Sequence, residues 1–116
     1  MMADAESPVV VLALFQPRAG HLERVLDAMR VAIPRVHEER GCDLYCIQLQ
    51  DNDRIVMVER WASVDDLDAH AAGVPVADFN ASLEGLLEAP PEVTRLVPVP
   101  IGDPVRGAIP PAKDSE

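Results

Sequence analysis

Apolar and polar positions divide the chain into blocks of alternating strand and helix period. Val9 to Phe15 is apolar on both faces and bounded by Pro8 and Pro17, the pattern of a central strand covered on both sides. Leu22, Val25, Leu26, Met29, Ile33 and Val36 then recur at helical spacing, with charged residues between them, until Gly41 stops the run. Pro34 falls inside that stripe and predicts a kink or a break into two helical pieces. A strand over 42–50, the turn Asp51-Asn52-Asp53 and a strand over 54–61 form a hairpin. Ser63 and Asp66 have capping-box spacing and open a short helix over 64–72. Pro75 starts a further helical stripe, Val76, Phe79, Leu83, Leu86 and Leu87, which Pro90-Pro91 closes. The last strand runs from Val93 to Val97 or Val99; Pro98 and Pro100 put its far end at an edge.

The order strand, helix, strand, strand, helix, strand predicts an α+β fold, a ferredoxin-like βαββαβ sandwich with helices on one sheet face. The strands are apolar on both faces, so the uncovered face calls for the same face of a second copy, a homodimer made by sheet packing. The expected organisation is a flexible N-terminus over 1–8, a folded domain over 9–101, and a proline-rich tail or arm over 102–116.

Length and charge narrow the classes. At 116 residues this is one domain, long enough to bury about two thirds of its unfolded surface without staples. Ten basic against twenty acidic side chains leave a net charge of −10, which repels a phosphate backbone and argues against nucleic acid. The longest apolar run, Val9 to Phe15, is too short to cross a bilayer. Cys42 and Cys46 lie on one strand, with α-carbons roughly 13 Å apart, too far for a disulfide. Two reduced thiols without a secretory signal point to the cytoplasm.

The candidate chemistry centres on 54–61 and the helix after it. Ile55, Met57, Glu59 and Trp61 share one face of their strand, and His70 follows on the next helix. In a functional reading these line a cleft: His70 acts as general base, Trp61 stacks on a flat substrate, and Glu59 orients the histidine or a donor group. In a structural reading Trp61 is a core aromatic, Glu59 pairs with an arginine or a helix N-terminus, and His70 is a half-buried helix residue. His37 and Tyr45 reach the cleft in the first reading; in the second His37 borders solvent and Tyr45 faces the dimer side. His21 is expected to be exposed. No metal site is expected, because the three histidines have no i, i+3 or i, i+4 pair and there is no C-x-x-C. Asp51-Asn52-Asp53 lacks further ligands for a cation. No glycine-rich phosphate loop, G-x-S-x-G or dinucleotide fingerprint is present, so no nucleotide cofactor bound through these motifs is expected.

Three stretches together resemble the antibiotic-biosynthesis monooxygenase family, the small dimeric α/β-barrel proteins that include quinol and anthrone monooxygenases. They are Gly20 to Leu26, Glu39 to Cys42 with Tyr45, and Val58 to Trp61 followed by Leu67 and His70. The resemblance covers about residues 9–99 and implies a ferredoxin-like fold, a dimer, and one pocket per subunit between sheet and helices. The anthrone oxygenases of the family carry an asparagine where this chain has Met57. The haem-degrading branch needs an asparagine on the first strand and a histidine ligand in the second helical region; the first strand here has no asparagine, and there is no histidine around Phe79. Trp61 and His70 match quinol-monooxygenase-like members, in which flat phenolic substrates meet dioxygen without a metal or flavin. The resemblance thus implies a cofactor-independent monooxygenase with His70, Glu59 and Trp61 as catalytic residues and Met57, Phe79 and Tyr45 around a small aromatic substrate. A non-catalytic small-molecule binder on the same scaffold is the alternative, and an isomerase or cyclase using the same base is a third.

Overall fold

The computed structural model describes residues 6–109; the first five residues of the expected flexible N-terminus and the end of the proline-rich tail lie outside the described residues. Its elements are β1 (Val9–Phe15), α1 (Leu22–His37), β2 (Cys42–Leu49), β3 (Ile55–Trp61), α2 (Val64–Ala71), α3 (Val74–Ser82) and β4 (Glu92–Leu96). The strands make one sheet in the order β2-β3-β1-β4, with every neighbouring pair antiparallel. This is the expected ferredoxin-like α+β sandwich, with the second helical region split into α2 and α3. β2 and β4 are edges, so a single chain forms an open sheet.

The period-two pattern decides which face is core. Val9, Val11, Ala13, Phe15, Ile55, Met57 and Trp61 are each no more than 4% exposed, and they lie under the helices. Register lines them up: Val11 sits opposite Glu59 and Glu59 opposite Tyr45, while Ala13 sits opposite Met57 and Met57 opposite Ile47. The intervening residues Leu12, Leu14, Val56 and Val58 point to the other face, where they are half-buried. Arg60, on that same face, is paired with Asp43 at 2.9 Å, so its charge is matched rather than left bare.

Pro34 does not divide α1, which runs unbroken from Leu22 to His37. A proline inside a helix costs about 3 kcal/mol, but Pro34 is exposed and lies in the last turn. Val25, Met29, Ala32 and Val36 are buried on the opposite side, and such burial outweighs one lost hydrogen bond. The predicted stripe from Val76 to Leu87 is also divided differently. α3 stops at Ser82, yet Leu83 and Leu86 remain buried in the turns that follow. There the chain pairs with the extension of β1: Arg18 N–H donates to the Leu86 carbonyl at 2.8 Å, and Glu88 N–H to that of Gln16 at 2.9 Å. That ladder competes with continued helix. β4 ends at Leu96, because Pro98 and Pro100 have no N–H to offer a neighbour. Beyond it Val97, Val99, Ile101 and Val105 are exposed. Among the described residues no helix is long and apolar enough to cross a membrane.

The turn between α1 and β2 fixes much of this geometry. Gly41 has φ of +80°, a region that costs side-chain-bearing residues dearly. Its carbonyl accepts from Ala62 N–H at 2.8 Å, tying this turn to the exit of β3. A Cβ on Gly41 would run into the Asp66 side chain, down to its own Cβ, so α2 itself would have to move. Gly41→Ala is therefore expected to lower unfolding stability by roughly 1–3 kcal/mol. Urea unfolding followed by circular dichroism measures it, and an unchanged midpoint would show that α2 is not pinned by this contact.

Candidate active site

The site begins with the start of α2. Ser63 caps the helix, its Oγ accepting from Asp66 N–H at 3.0 Å, which satisfies one of the free donors of the first turn. With the helix anchored there, Leu67 and His70 fall one turn apart on the buried side. His70 is 7% exposed, and its ring lies against Trp61 with centroids 4.5 Å apart. Tyr45 meets the same imidazole edge-on at 5.6 Å. The indole and the phenol thus hold the ring from two sides, one from β3 and one from β2.

Two carboxylates complete the cluster. Glu59 accepts from the Trp61 indole N–H at 2.9 Å, so it meets a donor group rather than the histidine. The partner of His70 is Glu39, whose Oε1 lies 2.8 Å from Nδ1. A carboxylate accepts, which makes Nδ1–H the donor. Glu39 comes from the turn after α1, where its N–H bonds the Val36 carbonyl and its carbonyl accepts from Cys42 N–H. Its second oxygen, Oε2, is buried and has no hydrogen-bond partner among the described residues.

Burial sets the electrostatics. Glu59 is pushed above the ordinary carboxylate value first by loss of solvent; the Trp61 hydrogen bond and His70 pull it back, and Glu39 adds to the rise. Tyr45 is raised by burial and then by Glu59 and Glu39, so its hydroxyl remains a proton donor. Cys42 is pushed up to about 11 by burial and the nearby Glu39, Glu59 and Asp43. It is therefore a thiol at neutral pH and a poor nucleophile. Both cysteines are free.

Two cavities meet at His70. The inner one, about 240 Å³, lies between sheet and helices; Val11, Met57, Leu67 and Phe79 form its apolar wall. Tyr45, Glu59, His70, Asn80 and Arg95 bring polar groups to it. The outer one, about 800 Å³, is a cleft bordered by Glu39, Arg40, Ser63, Asp65 and Asp66, again with His70. Of the expected residues, Met57, Glu59, His70, Phe79 and Tyr45 all line the inner cavity. Trp61 does not; it is fully buried behind the imidazole. Tyr45 lies on the helix side of the sheet and not on the open face. His37 is exposed and spends Nε2 on the Tyr45 carbonyl at 2.9 Å. His21 is half-exposed at the start of α1, with Nδ1 at 3.0 Å from the Ala19 carbonyl.

Glu39, Asn80 and Arg95 were not among the expected residues. Arg95 alternates with Val93 and Val97 along the chain, a period-two signal, but only the observed register puts it opposite Val11 on the cavity face; Asn80 had no such signal, because neighbours on a helix do not share a face. Glu39 had no such signal, because its place depends on the backbone turn at Gly41. Among the described residues no group of three or more His, Cys, Asp and Glu side chains is arranged to hold a metal ion.

The raised value of Glu59 gives a stability prediction. Above the ordinary value of 4.5, the folded protein holds this proton more tightly than the unfolded chain does. Stability contributed by Glu59 is thus present below pH 4.5 and lost as pH rises through the folded value. Glu59→Gln keeps an acceptor for the indole N–H and carries no charge. It is expected to melt higher than wild type at pH 8, with the difference closing as pH falls towards 4.5. Thermal unfolding across that range measures it; a difference that grows on acidification would contradict the assignment.

Comparison with known proteins agrees with the geometry. Residues 8–82 match the family model described as antibiotic biosynthesis monooxygenase. A Mycobacterium tuberculosis protein, "Putative monooxygenase Rv0793", is 36% identical over 99 residues, covering 80% of this chain and 93% of that protein. The solved structure of Rv0793 superposes with a TM-score of 0.77 at 30% identity, over 84% of this chain and all of the other. "Probable quinol monooxygenase YgiN" of Escherichia coli is 29% identical over 89 residues, 66% of this chain and 86% of that protein. A Caulobacter crescentus structure of the same described family shares the fold at a TM-score of 0.76 and 17% identity, over 82% of this chain and 92% of that one. The chain belongs to the antibiotic biosynthesis monooxygenase family.

Proposed function

We propose that this protein is a monooxygenase that oxidises a small phenol or quinol with dioxygen, without a metal or flavin. The observation that carries the reading is the inner cavity of about 240 Å³, apolar along one wall and bordered by His70, Tyr45 and Glu59. A cavity of about 150 Å³ holds benzene, so this volume suits a ring with substituents. The names of the two curated relatives support the same class.

His70 takes the phenolic proton. The resulting anion is electron-rich enough to reduce dioxygen; one oxygen atom enters the ring and the other leaves as water, so a quinol becomes a hydroxyquinone. Met57 and Phe79 hold the ring. Glu59, kept protonated more readily than an exposed carboxyl, faces the cavity as a proton source for the departing oxygen. Trp61 serves from behind by fixing the imidazole plane. Oxygen uptake with a panel of quinols, corrected for their spontaneous oxidation, tests the reading. Wild type is expected to accelerate uptake, and His70→Ala to lose most of that rate, on the order of 10²–10⁴-fold for a general base. Equal rates for the two proteins would overturn the mechanism. A bound aromatic recovered unchanged after aerobic incubation would instead favour a binding role.

The working unit in this proposal is a homodimer. Leu12, Leu14, Val56 and Val58 form a continuous apolar band on the face away from the helices, and a second copy of the sheet is its self-complementary cover. Light scattering is expected to give twice the chain mass of 12.6 kDa. Leu12→Glu, at the middle of β1, is expected to reduce it to one chain with the circular dichroism preserved; a monomeric wild type would refute the dimer.

A further inference from the structure

His70 is, among the described residues, the one side chain that lines both cavities. On the inner side it faces the apolar chamber; on the outer side its Nδ1 meets Glu39, which borders the polar cleft. The geometry points to Glu39 as the positioning residue for His70, which fixes its tautomer and stabilises the imidazolium that forms when the ring takes the substrate proton. This rests on the reading of His70 as the base.

Three observations carry it. The Nδ1 to Oε1 distance of 2.8 Å is that of a charge-assisted hydrogen bond. With Nδ1–H donated to Glu39, the neutral ring presents its lone pair at Nε2, the nitrogen left to the substrate. The imidazole cannot swing away, because Trp61 lies against its face and Tyr45 against its edge. Lastly, no group among the described residues bonds Oε2 of Glu39, so the imidazole N–H is the donor that this carboxylate meets there.

The step balances simply. The substrate O–H bond breaks and an Nε2–H bond forms; the Glu39 carboxylate at Nδ1 balances the charge of the imidazolium. Nε2 then gives that proton to the reduced oxygen, which restores the neutral ring with its lone pair at Nε2. No redox partner enters this step. Glu59 has a different role, since it faces the inner chamber and bonds the indole, not the imidazole.

Oxygen uptake with 1,4-dihydroxynaphthalene, with its spontaneous oxidation subtracted, is the assay, and histidine labelled with ¹⁵N reports the ring. Wild type is expected to show His70 as the neutral Nδ1–H tautomer. Glu39→Gln is expected to lower kcat roughly ten- to a hundredfold with KM within about twofold. In Glu39→Ala, added formate entering by the outer cleft is expected to restore kcat saturably, with no such rescue in His70→Ala. Loss of KM alone, kcat within twofold of wild type, or absence of rescue would each overturn the role. An Nε2–H tautomer in the wild type would overturn it even without turnover of this quinol. If His70→Ala is inactive while Glu39→Gln keeps full activity, only the Glu39 role fails. If His70→Ala matches wild type, the base reading itself has failed.

Discussion

The structure depends on a pairing constraint: a thin helical layer covers a sheet into which several polar groups have been buried, and each must find a partner. Glu59 finds the indole N–H of Trp61, and His70 finds Glu39. Each pair also orders something larger. The first locks the end of β3. The second joins the turn after α1 to α2 across 31 residues of sequence, closing the layer over the inner chamber. An unpaired buried charge in this small core would cost several kcal/mol, a large share of the stability of a domain this size.

The two carboxylates show how environment separates like groups. Glu59 sits in the sheet, where loss of solvent favours its protonated form. Glu39 sits at the rim, within reach of the outer cleft and of the imidazole. One residue type therefore meets an indole N–H in the sheet and an imidazole N–H at the rim. The histidine is held by two aromatic contacts and by the one hydrogen bond from Nδ1.

Family membership and the site geometry support each other but act at different levels. Membership brings the fold and the class of chemistry. The chamber volume, the position of Trp61 behind the imidazole and the identity of Met57 are properties of this chain, and they set the size and lining of the space beside His70. Fold alone would not have done so.

Sequence by itself determined the strand faces, the hairpin, the capping of α2 and the order of the elements, because each depends on periodicity or on residues adjacent in the chain. It also placed Met57, Glu59 and Trp61 on one face, since alternation along a strand is local. Tertiary structure decided what those residues touch. Trp61 read either as a substrate platform or as a core aromatic, and the fold buries it with His70 against its ring. Glu39 lay in a stretch that carries the family resemblance but had no site role, because its position follows from the left-handed backbone at Gly41 and from a partner 31 residues away. The unbroken α1 at Pro34 and the early end of α3 belong to the same class: packing and the pairing of residues 16–18 with 86–88 outweighed local preference. Local patterns set the elements, whereas a buried hydrogen bond is chosen by whichever groups the fold brings within about 3 Å.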